Sequence, residues 1–354
     1  MERIRRYIHS FFLPTFDWIQ VEVTSFCNAA CIYCPYTTLR HCWVNRHMTM
    51  ETFGHVIPAL KNAKLAYLQG WGEPLLNPSF FRMVEEAKKA GCQVGTTTNG
   101  MLLDGRMIDR IIQSGLDILS FSLANTDPCN DYVRKGAPVE TVLDRIRELT
   151  AAKKRAGIDK PDIHVAYVLL QSNKDDVKRL PSLLKGLGVS EVVISTLDYI
   201  PTPELRKEEL FPQTKEEFES LRTYLDEVQA DGAKMGVPIH YQIGYGGHRR
   251  SFCSENIEKA LVISATGDVL PCVSASIPVS EDRGQTENTE LRERLTFGNI
   301  TKQSIANIWW SEGYKKFRRS FYQEHGAASC QNCSKLHLIH FGPTAGGGCI
   351  FDLH

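Results

Sequence analysis

From Asp17 to about Leu197 the chain alternates short apolar runs with longer stretches of helical periodicity, and no other feature narrows its possible folds as far. Repeated βα units of this kind build a parallel sheet covered by helices. Six runs read as strands, at 19–23, 64–69, 93–98, 116–123, 163–170 and 189–197, the third closed by the turn pair Asn99-Gly100. Between strands, Val139, Val142, Leu143, Ile146 and Leu149 recur at helical spacing, as do Val177, Leu180, Leu184 and Leu187. Such helices are expected to cover a barrel-like sheet, which presents its chemistry at the carboxyl ends of its strands.

The 354 residues exceed a single small module. After Ile200 the composition turns charged and helical, with Pro201, Pro203 and Pro212 punctuating its start, and from about Pro238 it turns Gly- and Cys-rich. The expected organisation is an extension at 1–16, an α/β core at 17–200, a helical linker at 201–237 and a small α+β domain at 238–354, with a hairpin around Gly267 and a helix over 305–321. Lys plus Arg and Asp plus Glu number 41 each, so no global field recruits nucleic acid or an anionic membrane. No apolar run approaches the ~18 residues of a membrane helix, so a cytoplasmic protein without a membrane span is expected.

Eleven cysteines without a signal peptide argue against a disulfide framework and for metal or redox chemistry. Cys42, Cys92 and Cys129 are scattered and read as small buried hydrophobes. Cys27, Cys31 and Cys34 put three thiolates within eight residues, directly after the first strand. Structural zinc asks for four closed ligands, whereas three cysteines on a cubane cluster leave one iron open to an exogenous ligand.

At this point the chain resembles the radical S-adenosylmethionine (radical SAM) superfamily, whose Cys-x3-Cys-x-aromatic-Cys motif reads as Cys27, Cys31, Tyr33 and Cys34. The resemblance implies a 4Fe-4S cluster on the three cysteines and adenine packed on Tyr33. Gly70-Trp71-Gly72-Glu73-Pro74, after the second strand, looks like that family's Gly-Gly-Glu segment. Gly72 and Glu73 are then expected at the amino group of the methionine moiety, with Trp71 standing insertion-like inside the segment. Ser122 and Arg134 resemble the family's contacts to the methionine carboxylate, and Asn173, after the fifth strand, is a further cofactor contact or the cap of the helix that follows. Ala124-Asn125 replace the family's Asp-Gly.

Cys253, Cys272, Cys330 and Cys333 supply four thiolates from three segments, enough to close an auxiliary cluster or a ribbon-like zinc site. With Gly267 five residues before Cys272 and the Phe297-Gly298-Asn299-Ile300 segment, the pattern resembles the SPASM or shorter twitch extension of radical SAM enzymes. That implies a second 4Fe-4S cluster; Cys349 is left as a substitute ligand, a substrate-side thiol or an inert residue.

The whole resemblance predicts a partial (β/α)6 TIM-like barrel followed by a small cluster-binding α+β domain. It implies an enzyme that reductively cleaves S-adenosylmethionine and oxidatively modifies a substrate, first a peptide or protein. A small-molecule dehydrogenase or cofactor maturase is the alternative, and a non-enzymatic iron–sulfur electron carrier the second. Expected partners are a reductant such as a ferredoxin or flavodoxin and, because only about sixteen residues precede the first strand, a separate leader-binding protein. No catalytic acid or base stands out.

Overall fold

The computed structural model describes residues 13–200, 202–250, 253–278, 295–323, 326–330 and 333–342. Residues 1–12, the polar stretch within 279–294, and Cys349 lie outside them. The described strands are β1 (Phe16–Val21), β2 (Ala30–Cys31), β3 (Ala63–Tyr67), β4 (Gln93–Thr98), β5 (Ile118–Leu123), β6 (Arg134–Lys135), β7 (Asp162–Val168), β8 (Glu191–Ser195), β9 (Ile239–Gly244), β10 (Ala260–Ile263), β11 (Val269–Leu270) and β12 (Leu338–Phe341). The six predicted strands are β1, β3, β4, β5, β7 and β8. Contacts divide the chain into two units, and the division falls inside β4, between Gly95 and Thr96.

The first unit comprises Met1–Phe26, His41–Gly95 and Ser251–Asn332. Its strands follow the order β11-β10-β1-β3-β4. β1 runs parallel to both neighbours, with Trp18 opposite Ala260 on one side and Leu65 on the other. The expected hairpin is β10 and β11, Val262 facing Leu270, closed by a turn in which Gly267 takes φ +86°. That left-handed conformation favours glycine. The parallel pairing of β10 with β1 was not foreseen.

Helix Met50–Leu60 starts where the Thr49 side chain accepts the Thr52 N–H at 3.1 Å, and it buries Phe53, Val56, Ala59 and Leu60. Phe16 meets Trp309 edge to face at 4.9 Å, and the Arg318 guanidinium lies 4.0 Å over the same indole while donating to the Trp309 carbonyl at 2.8 Å. Each such aromatic side chain contributes ~1.5–3 kcal/mol by burial, which fixes the carboxy-terminal helices against the base of β1.

The second unit comprises Cys27–Arg40, Thr96–Arg250 and Cys333–His354. From the end of β4 the order continues β5-β7-β8-β9-β12. β5, β7, β8 and β9 are parallel, and β12 returns antiparallel with His340 opposite Gln242. A separate ribbon pairs β2 with β6, Cys31 opposite Arg134. Period two sorts β5: Leu119, Phe121 and Leu123 are fully buried on one face, Ser120 and Ser122 share the other. Helix Val139–Ala156 buries the predicted stripe and ends at Gly157, φ +65°.

The segment read as a linker forms helix Lys215–Met235, opened by a capping box of Thr214 and Glu217. β9 was not expected as a strand, because His240 and Gln242 break its apolar run; Ile239, Tyr241 and Ile243 carry the buried face. Cys92 is buried as expected, whereas Cys42 is half-buried and Cys129 exposed. Among the described residues no helix is long and apolar enough to cross a membrane.

Candidate functional site

The chain leaves β1 extended. Met48 donates to the Val23 carbonyl and Ser25 to that of Arg46, both at 2.9 Å, and the cysteine loop follows. In the second unit, Cys31 sits in the β2–β6 ribbon and Cys34 heads the short helical turn Pro35–Thr38, its carbonyl accepting the Thr37 N–H at 2.9 Å. The Ala29 N–H points at Cys27 Sγ from 3.4 Å. All three thiols are half-buried. Burial, then the neighbouring Cys31 and Cys27, push the Cys34 thiol up to about 12. Three adjacent thiolates therefore need a cationic centre to exist together, as an iron cluster provides.

Tyr33 packs on a cluster of Ala124, Val133, Leu170 and Leu197, and burial with Cys31 nearby holds its hydroxyl well above the usual range. Arg134 is 2% exposed, close to the limit for a charged side chain. It donates through Nη1 to the Ser122 carbonyl and bonds Cys31 and Tyr33. Burial opposes its charge, and Tyr33 and Cys31 more than offset that, so it stays protonated. Its Nε is buried with no hydrogen-bond partner among the described residues.

Asn173 is 1% exposed. Its Oδ1 accepts the Leu170 N–H at 2.7 Å, while Nδ2 donates to the carbonyls of Ala124 and Val168 at 2.5 and 3.0 Å. The side chain thus ties the ends of β5 and β7 together.

Gly72 and Glu73 lie in the first unit. A Cβ on Gly72 would run into the backbone of Thr24, Ser25 and Phe26, and the Glu73 N–H donates to the Phe26 carbonyl at 2.7 Å. The Glu73 carboxylate is 2% exposed and caps the turn Pro74–Leu76 through the Leu75 N–H at 3.5 Å. Asn77 locks that turn, donating to the Val23 and Met48 carbonyls at 2.6 and 3.1 Å. The segment is a backbone cradle around a buried carboxylate, the arrangement that binds an ammonium group.

Sequence reasoning missed Glu22. This carboxylate is 7% exposed and accepts the N–H groups of Trp71 and Ala265 at 3.3 and 3.2 Å. A single acid in the run Ile19–Val23 was its one signal. With Trp43, Arg46 and Asp268 it borders a cleft of about 360 Å³ within this unit.

Of the second cysteine set, Cys253, Cys272 and Cys330 belong to the first unit and Cys333 to the second. The Glu255 N–H lies 3.5 Å from Cys253 Sγ. Cys272 caps the turn Val273–Ser276, Cys330 ends the turn Ala328–Cys330, and Cys333 caps Ser334–Leu336. The Ser334–Leu336 turn is pinned by the Lys335–Asp198 ion pair at 2.7 Å and by Ser334 Oγ donating to the Asp198 carbonyl at 2.9 Å.

The donors fit the implied groups. Among the described residues no three His, Cys, Asp or Glu side chains converge to hold one metal ion, and a cubane does not ask for it, since each thiolate takes its own iron. The orphaned Arg134 Nε suits a carboxylate, and the Gly72-Glu73 cradle suits an ammonium group.

Comparison with known proteins agrees. Residues 21–184 match the radical SAM superfamily and residues 253–334 match SPASM, an iron–sulfur cluster-binding domain. The chain is 27% identical to the tungsten-containing aldehyde ferredoxin oxidoreductase cofactor-modifying protein of Pyrococcus furiosus, over 94% of this chain and 91% of that one. It is 24% identical to the PqqA peptide cyclase of Xanthomonas axonopodis, over 90% and 80%. Among solved structures, Streptococcus suis SuiB bound to S-adenosylmethionine aligns with a TM-score of 0.66 at 12% identity, covering 95% of this chain and 74% of that one. The native anSMEcpe structure with bound AdoMet aligns at 0.61 and 15%, covering 90% and 93%. These likenesses show the α/β, partial TIM-barrel fold.

Proposed function

We propose, from the premise that the chain is a radical SAM enzyme with a SPASM iron–sulfur domain, that it is a maturase oxidising a peptide or protein substrate. One observation carries the reading: a three-thiol loop, a buried arginine with a spare donor and a glycine-built carboxylate cradle occur in one chain with a second cysteine set. An electron carrier has no use for the arginine and the cradle.

Cys27, Cys31 and Cys34 would hold one 4Fe-4S cluster, and Cys253, Cys272, Cys330 and Cys333 an auxiliary one. Together with S-adenosylmethionine, the first cluster supplies a reductive C–S cleavage whose 5′-deoxyadenosyl radical takes a hydrogen atom from the substrate. The chain's own groups bind and orient. Glu73 and the backbone around Gly72 receive the methionyl ammonium, Arg134 and Ser122 its carboxylate, and Tyr33 with its apolar neighbours receives adenine and keeps water out. Asn173 positions the strand ends that carry Ser122 and Ala124.

Peptide maturation is supported by the PqqA peptide cyclases and by the structure of SuiB bound to its precursor peptide SuiA. The Pyrococcus furiosus relative, matched at higher identity, favours a second reading, maturation of a metalloenzyme cofactor. We further place the enzyme in the cytoplasm, reduced by a ferredoxin or flavodoxin, and read 17–200 as the radical SAM core and 238–354 as the cluster-binding domain.

The test is anaerobic reconstitution with iron and sulfide, reduction with dithionite and addition of S-adenosylmethionine. About eight irons per chain and formation of 5′-deoxyadenosine are expected. Zinc in place of iron, with no cleavage in the presence of either substrate class, would refute the reading. Deuterium transfer into 5′-deoxyadenosine from a labelled peptide or a labelled cofactor precursor separates the two substrate classes.

A further inference from the structure

Trp71 is the part of the motif that the binding role leaves unexplained. Its neighbours in sequence need to be small: a Cβ on Gly70 would strike the Glu22 side chain, and one on Gly72 the backbone of residues 24–26. Between them stands the largest side chain available, and it reaches the turn that follows Cys272. Trp71 Nε1 donates to Ser276 Oγ at 2.9 Å and to the Val273 carbonyl at 3.2 Å, while Ser276 Oγ donates to the same carbonyl at 2.7 Å. The indole has one donor, and this turn takes it in a closed triangle. Cys272 caps that turn, with Ala275 N–H on its carbonyl at 3.2 Å.

A second tie runs alongside. Glu22 accepts the Trp71 backbone N–H through Oε1 and the Ala265 N–H through Oε2, and Ala265 lies in the turn that joins β10 to β11, whose strand delivers Cys272. Trp43 braces the indole edge to face at 6.5 Å. The segment that ends in Glu73 and the segment that presents Cys272 are therefore joined within one unit by a side chain at each end of the contact.

We propose that Trp71 is a positioning residue that couples cofactor occupancy at Gly72-Glu73 to the auxiliary ligand Cys272. The proposal rests on the reading of those two sites given above. By linkage, whatever S-adenosylmethionine does to the Cys272 turn, loss of that turn's order does in reverse to S-adenosylmethionine affinity, by the same factor. Trp71 touches neither cofactor nor substrate in this scheme; it transmits.

The test uses the reconstituted full chain and needs no substrate. Amide hydrogen exchange is measured over residues 268–278 with and without S-adenosylmethionine, and cofactor affinity by anaerobic equilibrium dialysis, in wild type, Trp71→Phe, Ser276→Ala and Cys272→Ala. Phe keeps an aromatic ring and loses the donor together with some bulk; Ser276→Ala breaks the same triangle from the other side without changing the Gly70–Glu73 segment and so isolates the hydrogen bond. Cofactor is expected to slow exchange over 268–278 in wild type and much less in either triangle variant. Cofactor affinity is expected to fall at least about fivefold in Trp71→Phe, and Cys272→Ala to weaken binding in wild type but add little to Trp71→Phe. No protection in wild type, or equal protection in Trp71→Phe and Ser276→Ala, overturns the coupling alone. Full iron retained by Cys272→Ala overturns the ligand assignment and the proposal with it.

Discussion

Gly72→Ala adds one methyl group at a place where the neighbours cannot turn away. Its Cβ would lie 2.9 Å from the Ser25 carbonyl carbon and closer still to the carbonyl oxygens of Thr24 and Phe26, where ordinary contact begins at 3.4 Å. All three are backbone atoms, two of them immediately before Cys27. Relief requires the two segments to separate by at least half an ångström, roughly the difference between those figures, which stretches the 2.7 Å bond from Glu73 N–H to the Phe26 carbonyl. Overpacking contributes ~1–3 kcal/mol and the weakened hydrogen bond ~1 kcal/mol, about 2–4 kcal/mol together. If the segment moves, Glu73 moves with it and cofactor affinity falls; if it stays, the strain remains in the folded protein and stability falls. At ~1.4 kcal/mol per decade, the first outcome is about a thirtyfold or greater loss of S-adenosylmethionine affinity. Anaerobic dialysis on the reconstituted protein and urea denaturation measure the two together. Gly54→Ala is the control: it sits in helix Met50–Leu60 with nothing within 4 Å of the added carbon, so it stabilises by ~0.5–1 kcal/mol. A Gly72→Ala protein with affinity within threefold of wild type and unchanged denaturation would refute the cradle.

Asn173→Ala strips partners from Leu170 N–H and from the Ala124 and Val168 carbonyls and should destabilise by ~2–3 kcal/mol; an unchanged urea midpoint would show that the side chain ties nothing. Burial holds His164 below its usual 6.5, against Glu191 and Asp162 and with Lys160 and His240 nearby. The unfolded chain then takes up a proton before the folded one does, so this contribution is full above about pH 6.5 and is lost as pH falls below it. His164→Gln should flatten the decline of stability from pH 7 to 5, and an unaltered slope would contradict this. Replacing Cys253 and Cys272 by Ala should leave about four irons of about eight, and undiminished iron would remove these residues from the auxiliary site.

The parallel strands were legible because each is a short, mostly buried run closed by turn residues, and the helices between them repeat at 3.6 residues. β9 was not, since His240 and Gln242 interrupt its apolar positions Ile239, Tyr241 and Ile243 and a half-polar run reads as a loop. The cysteine groups announced themselves by spacing, which chemistry fixes locally. Glu22 and Trp71 could not, because their partners Ala265 and Val273 lie some two hundred residues away. Asn173 shows the intermediate case: as a cap it is local and readable, but its bond to Ala124 exists only once β5 and β7 are neighbours.

Arg134 brings these threads together. A guanidinium at 2% exposure is tolerated only when an opposite charge or a full set of acceptors compensates its lost water. The Ser122 carbonyl, Cys31 and Tyr33 supply part of that set, and Nε remains without a partner among the described residues. On the proposed function, thiolates on a cluster and a bound carboxylate would complete it. The residue is then most stable with its site loaded, and because its backbone pairs with Cys31 across the β2–β6 ribbon, loading would stabilise that ribbon too.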